Sequence, residues 1–301
     1  MVKISSLKQR SRSIPRALAL FGGYLFVQWA VGLIVLTLST FVVTRSGDSV
    51  PRVADFIFTN KVPIHSLAAI LFVLLIHQLY PLTDTRLPAV FKRNFSTYHF
   101  LQGLMLGLVL VVGGLLGGHF SWLGFYMHFD EIVINFVSTV LFSFGLFTFV
   151  IFEEYLMRSV VEPQLRRFGS PTVLYIASCA IYVALKYFQF ELTWFAALNF
   201  ALLNLVFSTI ARKERSHMSS ATLAATFLFT LHTLFSLPFL GQDMPGVFLL
   251  RAVEIENASG VRSLGVLLSG GTQGPENSLL LTVLLAVYLT LPWMRMRMRQ
   301  T

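Results

Sequence analysis

The residues with the most chemical potential are two adjacent glutamates in the run Phe152-Glu153-Glu154-Tyr155-Leu156-Met157-Arg158. They follow a long apolar block, where an ionisable side chain is costly and needs a reason. Glu154 and Arg158 stand four apart, which sets them on one helix face as an ion pair. Glu153 lies about 100° around that helix and needs another partner. Two close buried carboxylates repel, so one of them is suited to take a proton near neutral pH, as a general base must. The plainer alternative is an acid–base pair that anchors the end of a membrane span at the inner interface.

Three further positions invite chemistry. Lys186, in Tyr182-Val-Ala-Leu-Lys186-Tyr187, is either a lysine snorkelling to the outer interface or a charge partner inside the bundle. His232 and Ser236 stand four apart, so a helix would present an imidazole and a hydroxyl on one face. The alternative is a histidine bonded to a neighbouring helix. His77, with Gln78 and Tyr80, reads as structural. His119, His128, Asp130 and Glu131 share a segment without Lys or Arg, but their spacing fits no ligand motif, and we expect a solvated loop and no metal. Cys179 is the only cysteine, which excludes an intrachain disulfide and suits a small packing residue.

The elements that must hold these groups are membrane helices. The 301 residues are 55% hydrophobic and 12% charged, about half the charged share of a soluble domain. Mean hydropathy is +0.71. Apolar blocks cover Ala17–Val43, Val62–Leu82, Tyr98–Gly118, Ile132–Phe152, Thr172–Tyr187, Trp194–Ile210, Ala221–Leu240 and Leu279–Pro292. A span needs about 20 such residues, and these lack the period-two alternation of barrel strands. The first block is too long for a signal-peptide core of about 7–15 residues. The expected architecture is therefore all-α: one polytopic membrane bundle over residues 1–301, with about eight transmembrane helices.

Charge sets the expected orientation. With the N-terminus inside, the inner segments hold Lys3, Lys8, Arg10, Arg12 and Arg16, then Arg86, Lys92 and Arg93. They also hold Arg158, Arg166 and Arg167, then Arg212, Lys213 and Arg215, and finally Arg295, Arg297 and Arg299. The outer side keeps Arg45, Arg52, Lys61, Lys186, Arg251 and Arg262. The positive-inside rule then places both termini in the cytoplasm. The net charge of +9 is accounted for by this topology, and no nucleic-acid partner is expected. The long outer segment from Gly241 to Asn277 has the composition of a cap. No inverted repeat is visible, which disfavours a transporter.

Glu153-Glu154-x-x-x-Arg158 resembles the first motif of the CPBP intramembrane proteases, also called the CAAX prenyl protease type II or Abi family. The resemblance covers about residues 100–297, including a weaker likeness in Gly274-Pro275-Glu276. It implies an endopeptidase that cuts a peptide or membrane-protein substrate near the inner leaflet of a bacterial inner membrane, without a metal or other cofactor. Glu153 takes the place of the family's first glutamate, which together with the second-motif His activates a water. Glu154 and Arg158 complete the first motif. The family's third-motif His and Asn stabilise the oxyanion. Where the family's second motif has Phe-x-x-x-His, this chain has Tyr182 and Lys186. For the third motif, His-x-x-x-Asn or Asp, the nearest match is His232 and Ser236, although the equivalent place falls near Ala224. A charged lysine donates hydrogen bonds and accepts none. Two functions thus remain open: a glutamate-dependent intramembrane endopeptidase, or a pseudoprotease of the same fold that binds a membrane partner.

Overall fold

The computed structural model describes residues 13–46, 61–79, 96–125, 132–166, 170–190, 192–253 and 264–298. Each apolar block contains a helix. They are α1 (Ser13–Ser46), α2 (Lys61–Leu79), α3 (Thr97–Leu116), α4 (beginning as Ile132–Tyr155), α5 (Pro171–Gln189), α6 (Trp194–Lys213), α7 (His217–Leu228), a short α8 (Leu264–Ser269) and α9 (Leu279–Met298). Ser96 caps α3 and Thr193 caps α6 with side-chain oxygens that accept from backbone N–H groups. Four described segments are long and apolar enough to cross a membrane: Thr97–Leu116, Asn135–Leu165, Pro171–Gln189 and Trp194–Lys213. The protein is a mostly helical bundle of membrane type.

Two features depart from expectation. First, α4 does not end at Phe152. It runs through a wider π turn, Leu156–Val161, and closes as Glu162–Leu165. The apolar segment Asn135–Leu165 has 31 residues, or roughly 46 Å at about 1.5 Å per residue. Glu153, Glu154 and Arg158 therefore lie within the helix, well before its end. Second, the bundle is not purely helical. Segments expected as loops pair as an antiparallel ribbon, β1 (Phe120–Phe125) with β2 (Phe248–Ala252), with a bulge between Trp122 and Gly124. His128, Asp130 and Glu131 lie outside the described residues, as do Tyr80 and the side chain of His77. No cluster of potential metal ligands occurs among the described residues.

α7 is the centre of the bundle. Every residue from Met218 to Leu228 is buried. Its small side chains, among them Ser219, Ser220, Ala221, Ala224 and Ala225, let neighbours come close, as membrane helix contacts require. α3 uses this: a methyl on Gly103 would sit 2.6 Å from the Leu223 carbonyl oxygen, and one on Gly107 would sit 2.7 Å from Thr230 Cβ. Gly107→Ala should thus lower stability by about 1–3 kcal/mol through overpacking. Gly113 lies on the same helix, and a methyl there first meets an atom at 4.0 Å. Gly113→Ala should hold or raise the unfolding midpoint in detergent, since alanine is the better helix former. Equal midpoints for the two variants would remove close packing as the role of Gly107.

Candidate functional site

Three helices each carry polar residues at every fourth position, and these stripes meet in the core. α4 contributes Glu154, Arg158 and Glu162; α5 contributes Ser178, Tyr182 and Lys186; α6 contributes Asn204, Ser208 and Arg212. In an α-helix such a stripe drifts about 40° per step. The π turn holding Arg158 offsets that drift, so both glutamates reach the same guanidinium. Arg158 Nε donates to Glu154 Oε2 at 3.0 Å and Nη2 to Glu154 Oε1 at 3.2 Å. Nη1 donates to Glu162 Oε1, and Nη2 also reaches Asn204 Oδ1 at 2.8 Å. Glu162 Oε1 accepts further from Ser208 at 2.8 Å and Ser178 at 3.3 Å, while Arg212 Nε lies 3.7 Å from Oε2. The predicted Glu154–Arg158 pair is present, embedded in a larger network.

Glu153 finds its partner on α5. Lys186 Nζ donates to Glu153 Oε2, and Gln189 Nε2 donates to Oε1 at 2.6 Å. The ammonium sits 4.3 Å from the Phe149 ring centre, with Tyr182, Phe200 and Phe190 between 5.6 and 5.9 Å. Lys186 does not snorkel: it is 2% exposed. The turn after α5 brings Phe190 over Phe149 and buries the amine before it can reach water. Tyr182 acts here as one wall of that aromatic cage.

The charges of this centre balance, with Arg212 only partly buried. Glu153, Glu154 and Glu162 face Lys186, Arg158 and Arg212, three negatives with three positives. Burial of an ion is tolerable only when it is paired and its remaining hydrogen-bonding capacity is met. Neutrality keeps the net field inside the apolar bundle small.

His232 and Ser236 do not stay on one face. α7 passes into a second π turn, Phe229–Leu234, that contains His232 and then stops. Pro238 cannot continue a helix, and the residue before it is biased away from helical geometry. Ser236 accordingly leaves the helix with φ +48°. Its hydroxyl is buried without a hydrogen-bond partner. His232 Nδ1 donates to the Leu237 carbonyl at 2.9 Å, and Nε2 lies 2.6 Å from Glu276 Oε1. With Nδ1 carrying a proton, one further proton is held between Nε2 and the carboxyl oxygen.

Asn199 sets the position of Glu276. Its amide donates to the Glu276 and Ser278 carbonyls at 2.8 and 2.9 Å, and its oxygen accepts from Thr282. Gly274 (φ +95°) lets this loop pass Pro238, whose carbonyl oxygen would lie 2.1 Å from an added methyl.

The candidate residues thus form two polar centres. Phe239 separates them: its ring centre is 4.8 Å from that of His232 and 5.3 Å from that of Phe190. Glu153, Glu154, Arg158, Tyr182 and Lys186 belong to one centre, and His232 with Glu276 to the other.

Sequence reasoning did not single out Glu162, Ser178, Asn204, Ser208 or Gln189. The period-four polar stripes were the signal for Glu162, Ser178, Asn204 and Ser208, whereas Gln189 lies off the α5 stripe. It also missed Tyr24 and Gln28 of α1, four apart and both buried. Tyr24 Oη, Gln28 Nε2 and Gln189 Oε1 are buried without hydrogen-bond partners, and Tyr24 faces Glu153 electrostatically. No family model, curated protein or solved structure matches the chain.

Proposed function

We propose that this chain is a CPBP-like pseudoprotease: a membrane protein that uses a protease-type core as a fixed ion-paired scaffold for binding a membrane partner. The observation that carries this reading is the occupation of Glu153. Lys186 holds one carboxylate oxygen and Gln189 the other. Each oxygen retains a further lone pair, but a general base must also take up the water's proton, and here that would break the ion pair with Lys186. Proton uptake by Glu153 would leave the caged Lys186 ammonium without its anion, and Lys186 itself offers no acceptor for that water. His232 is equally committed, to Glu276 and the Leu237 carbonyl, and therefore has no spare donor for an oxyanion. In this reading about eight helices span a bacterial inner membrane with both termini in the cytoplasm, and no metal takes part.

A second reading rests on a specific observation. Tyr24 Oη, Gln28 Nε2 and Gln189 Oε1 bring a hydroxyl, a donor and an acceptor together beside Glu153, and none of them closes a well-formed hydrogen bond. Such a group is suited to hold a buried water near Glu153. An endopeptidase with Glu153 as base and Lys186 as electrostatic support would use that water.

Incubating the purified chain with tagged peptides and prenylated C-terminal peptides separates the two. No cleavage is expected from the parent, and Lys186→His, which frees Glu153 and restores an imidazole, is the variant expected to gain any. Cleavage by the parent that Glu153→Ala abolishes, and that Glu214→Gln at the exposed α6–α7 turn retains, would establish the endopeptidase instead.

A further inference from the structure

A second feature lies at the far end of the bundle. His99, at the start of α3, faces Glu214 and Lys213 in the α6–α7 turn. The ribbon follows the other end of α3. There it borders a cavity of about 750 Å³ lined by Ser121, Leu123, Ser236, Asp243, Arg251 and Thr272 among others.

The ribbon has two unlike faces. Ser121 and Leu123 turn to the cavity. Trp122 and Phe125 pack on Phe248 at 5.2 and 5.5 Å between ring centres. They remain 49% and 65% exposed. An exposed tryptophan and phenylalanine on a ledge at the end of a membrane bundle suit the headgroup level, where amphipathic rings collect.

The cavity carries opposite charges. Arg251 and Asp243 are both exposed, and neither is ion-paired among the described residues. Ser236 adds a hydroxyl that is buried, 6% exposed, and without a partner. Ser121 and Thr272 add further hydroxyls. A guanidinium matches a phosphodiester, a carboxylate matches a primary ammonium, and Leu123 offers an apolar wall for the first acyl carbons.

We propose that this cavity binds the headgroup of an ethanolamine phospholipid from the leaflet that the ribbon meets, with phosphate on Arg251 and ammonium on Asp243. A short peptide is also zwitterionic, through its two free termini, but the aromatic ledge beside the cavity favours a lipid. The proposal stands independently of whether Glu153 is catalytic.

Native mass spectrometry of the full chain in detergent tests it, using phosphatidylethanolamine, phosphatidylcholine and phosphatidylglycerol of identical acyl composition. The ethanolamine lipid should bind about tenfold more tightly than the other two, the scale of one charge-assisted hydrogen bond. Arg251→Ala should weaken all three. Asp243→Asn should make ethanolamine and choline lipids equivalent, because only the primary ammonium donates to that carboxylate. Both side chains are exposed, so unfolding midpoints should hold. Equal binding of the three lipids by the parent, or unchanged patterns in both variants, would overturn the proposal. Binding of soluble glycerophosphoethanolamine as tightly as the whole lipid would overturn a membrane source. Displacement of the lipid by trialanine would point to a peptide terminus and overturn it as well.

Discussion

Lys186→Met is expected to destabilise the protein by about 3–5 kcal/mol, the cost of leaving one partner of a buried ion pair uncompensated. Methionine fills a similar volume against the cage of Phe149, Tyr182, Phe190 and Phe200, so packing changes little. What changes is Glu153. It keeps the Gln189 amide but loses its cation while remaining 2% exposed. The second half of the test is Glu153→Gln in the same chain. A neutral amide needs no counter-ion, so the double variant should recover most of the loss. Unfolding midpoints of the parent, both single variants and the double variant in one detergent give the coupling between the two residues. A Lys186→Met midpoint within error of the parent would show that the pair is not a structural element, and the scaffold reading would lose its foundation.

Arg158→Lys should cost as much, about 3–5 kcal/mol, despite preserving the charge. The guanidinium spans Glu154, Glu162 and the Asn204 side chain at once. An ammonium is a point charge with donors that cannot reach three helix-fixed acceptors together. Two carboxylates would then compete for one smaller cation. Glu162 has Ser208, Ser178 and Arg212 as additional partners, and Glu154 has Arg158. The loss should accordingly concentrate on Glu154, and Glu154→Gln should rescue Arg158→Lys better than Glu162→Gln does. The rescue order is measurable from the same midpoints. The reverse order would show that Glu162 depends on Arg158 more than its other contacts indicate.

Both results bear on function through the same physics. A charge network that is closed and neutral is rigid, because any displacement strands an ion in a medium that cannot solvate it. Catalysis by Glu153 would need that network to open at Lys186. A scaffold needs it to stay shut.

Much of this protein was legible in its sequence. Long apolar blocks can satisfy their backbone only as helices in lipid, so the helices of the bundle follow from composition alone. The Glu154–Arg158 pair follows from spacing, because contacts four residues apart are fixed by helix geometry. The same rule reaches Glu162 on α4 and the Asn204–Ser208–Arg212 stripe on α6. The break before Ser236 went unpredicted, although Pro238 signals it inside the apolar block Ala221–Leu240.

Other features were decided only when the helices packed. The partner of Glu153 lies 33 residues away on α5, and no local rule selects Lys186 over another cation. The sequence permits Lys186 to snorkel or to turn inward. The turn carrying Phe190, which meets Phe149 and Phe239 edge-on, covers the amine and leaves the carboxylate as its anion partner. The family resemblance assigned His232 to an oxyanion site, yet Asn199 and the Gly274 turn deliver Glu276 to its ring. Local geometry determined which groups share a helix face. Tertiary packing determined which of those groups are neutralised, because in a medium without water a buried charge must take the nearest opposite charge that the bundle brings within reach.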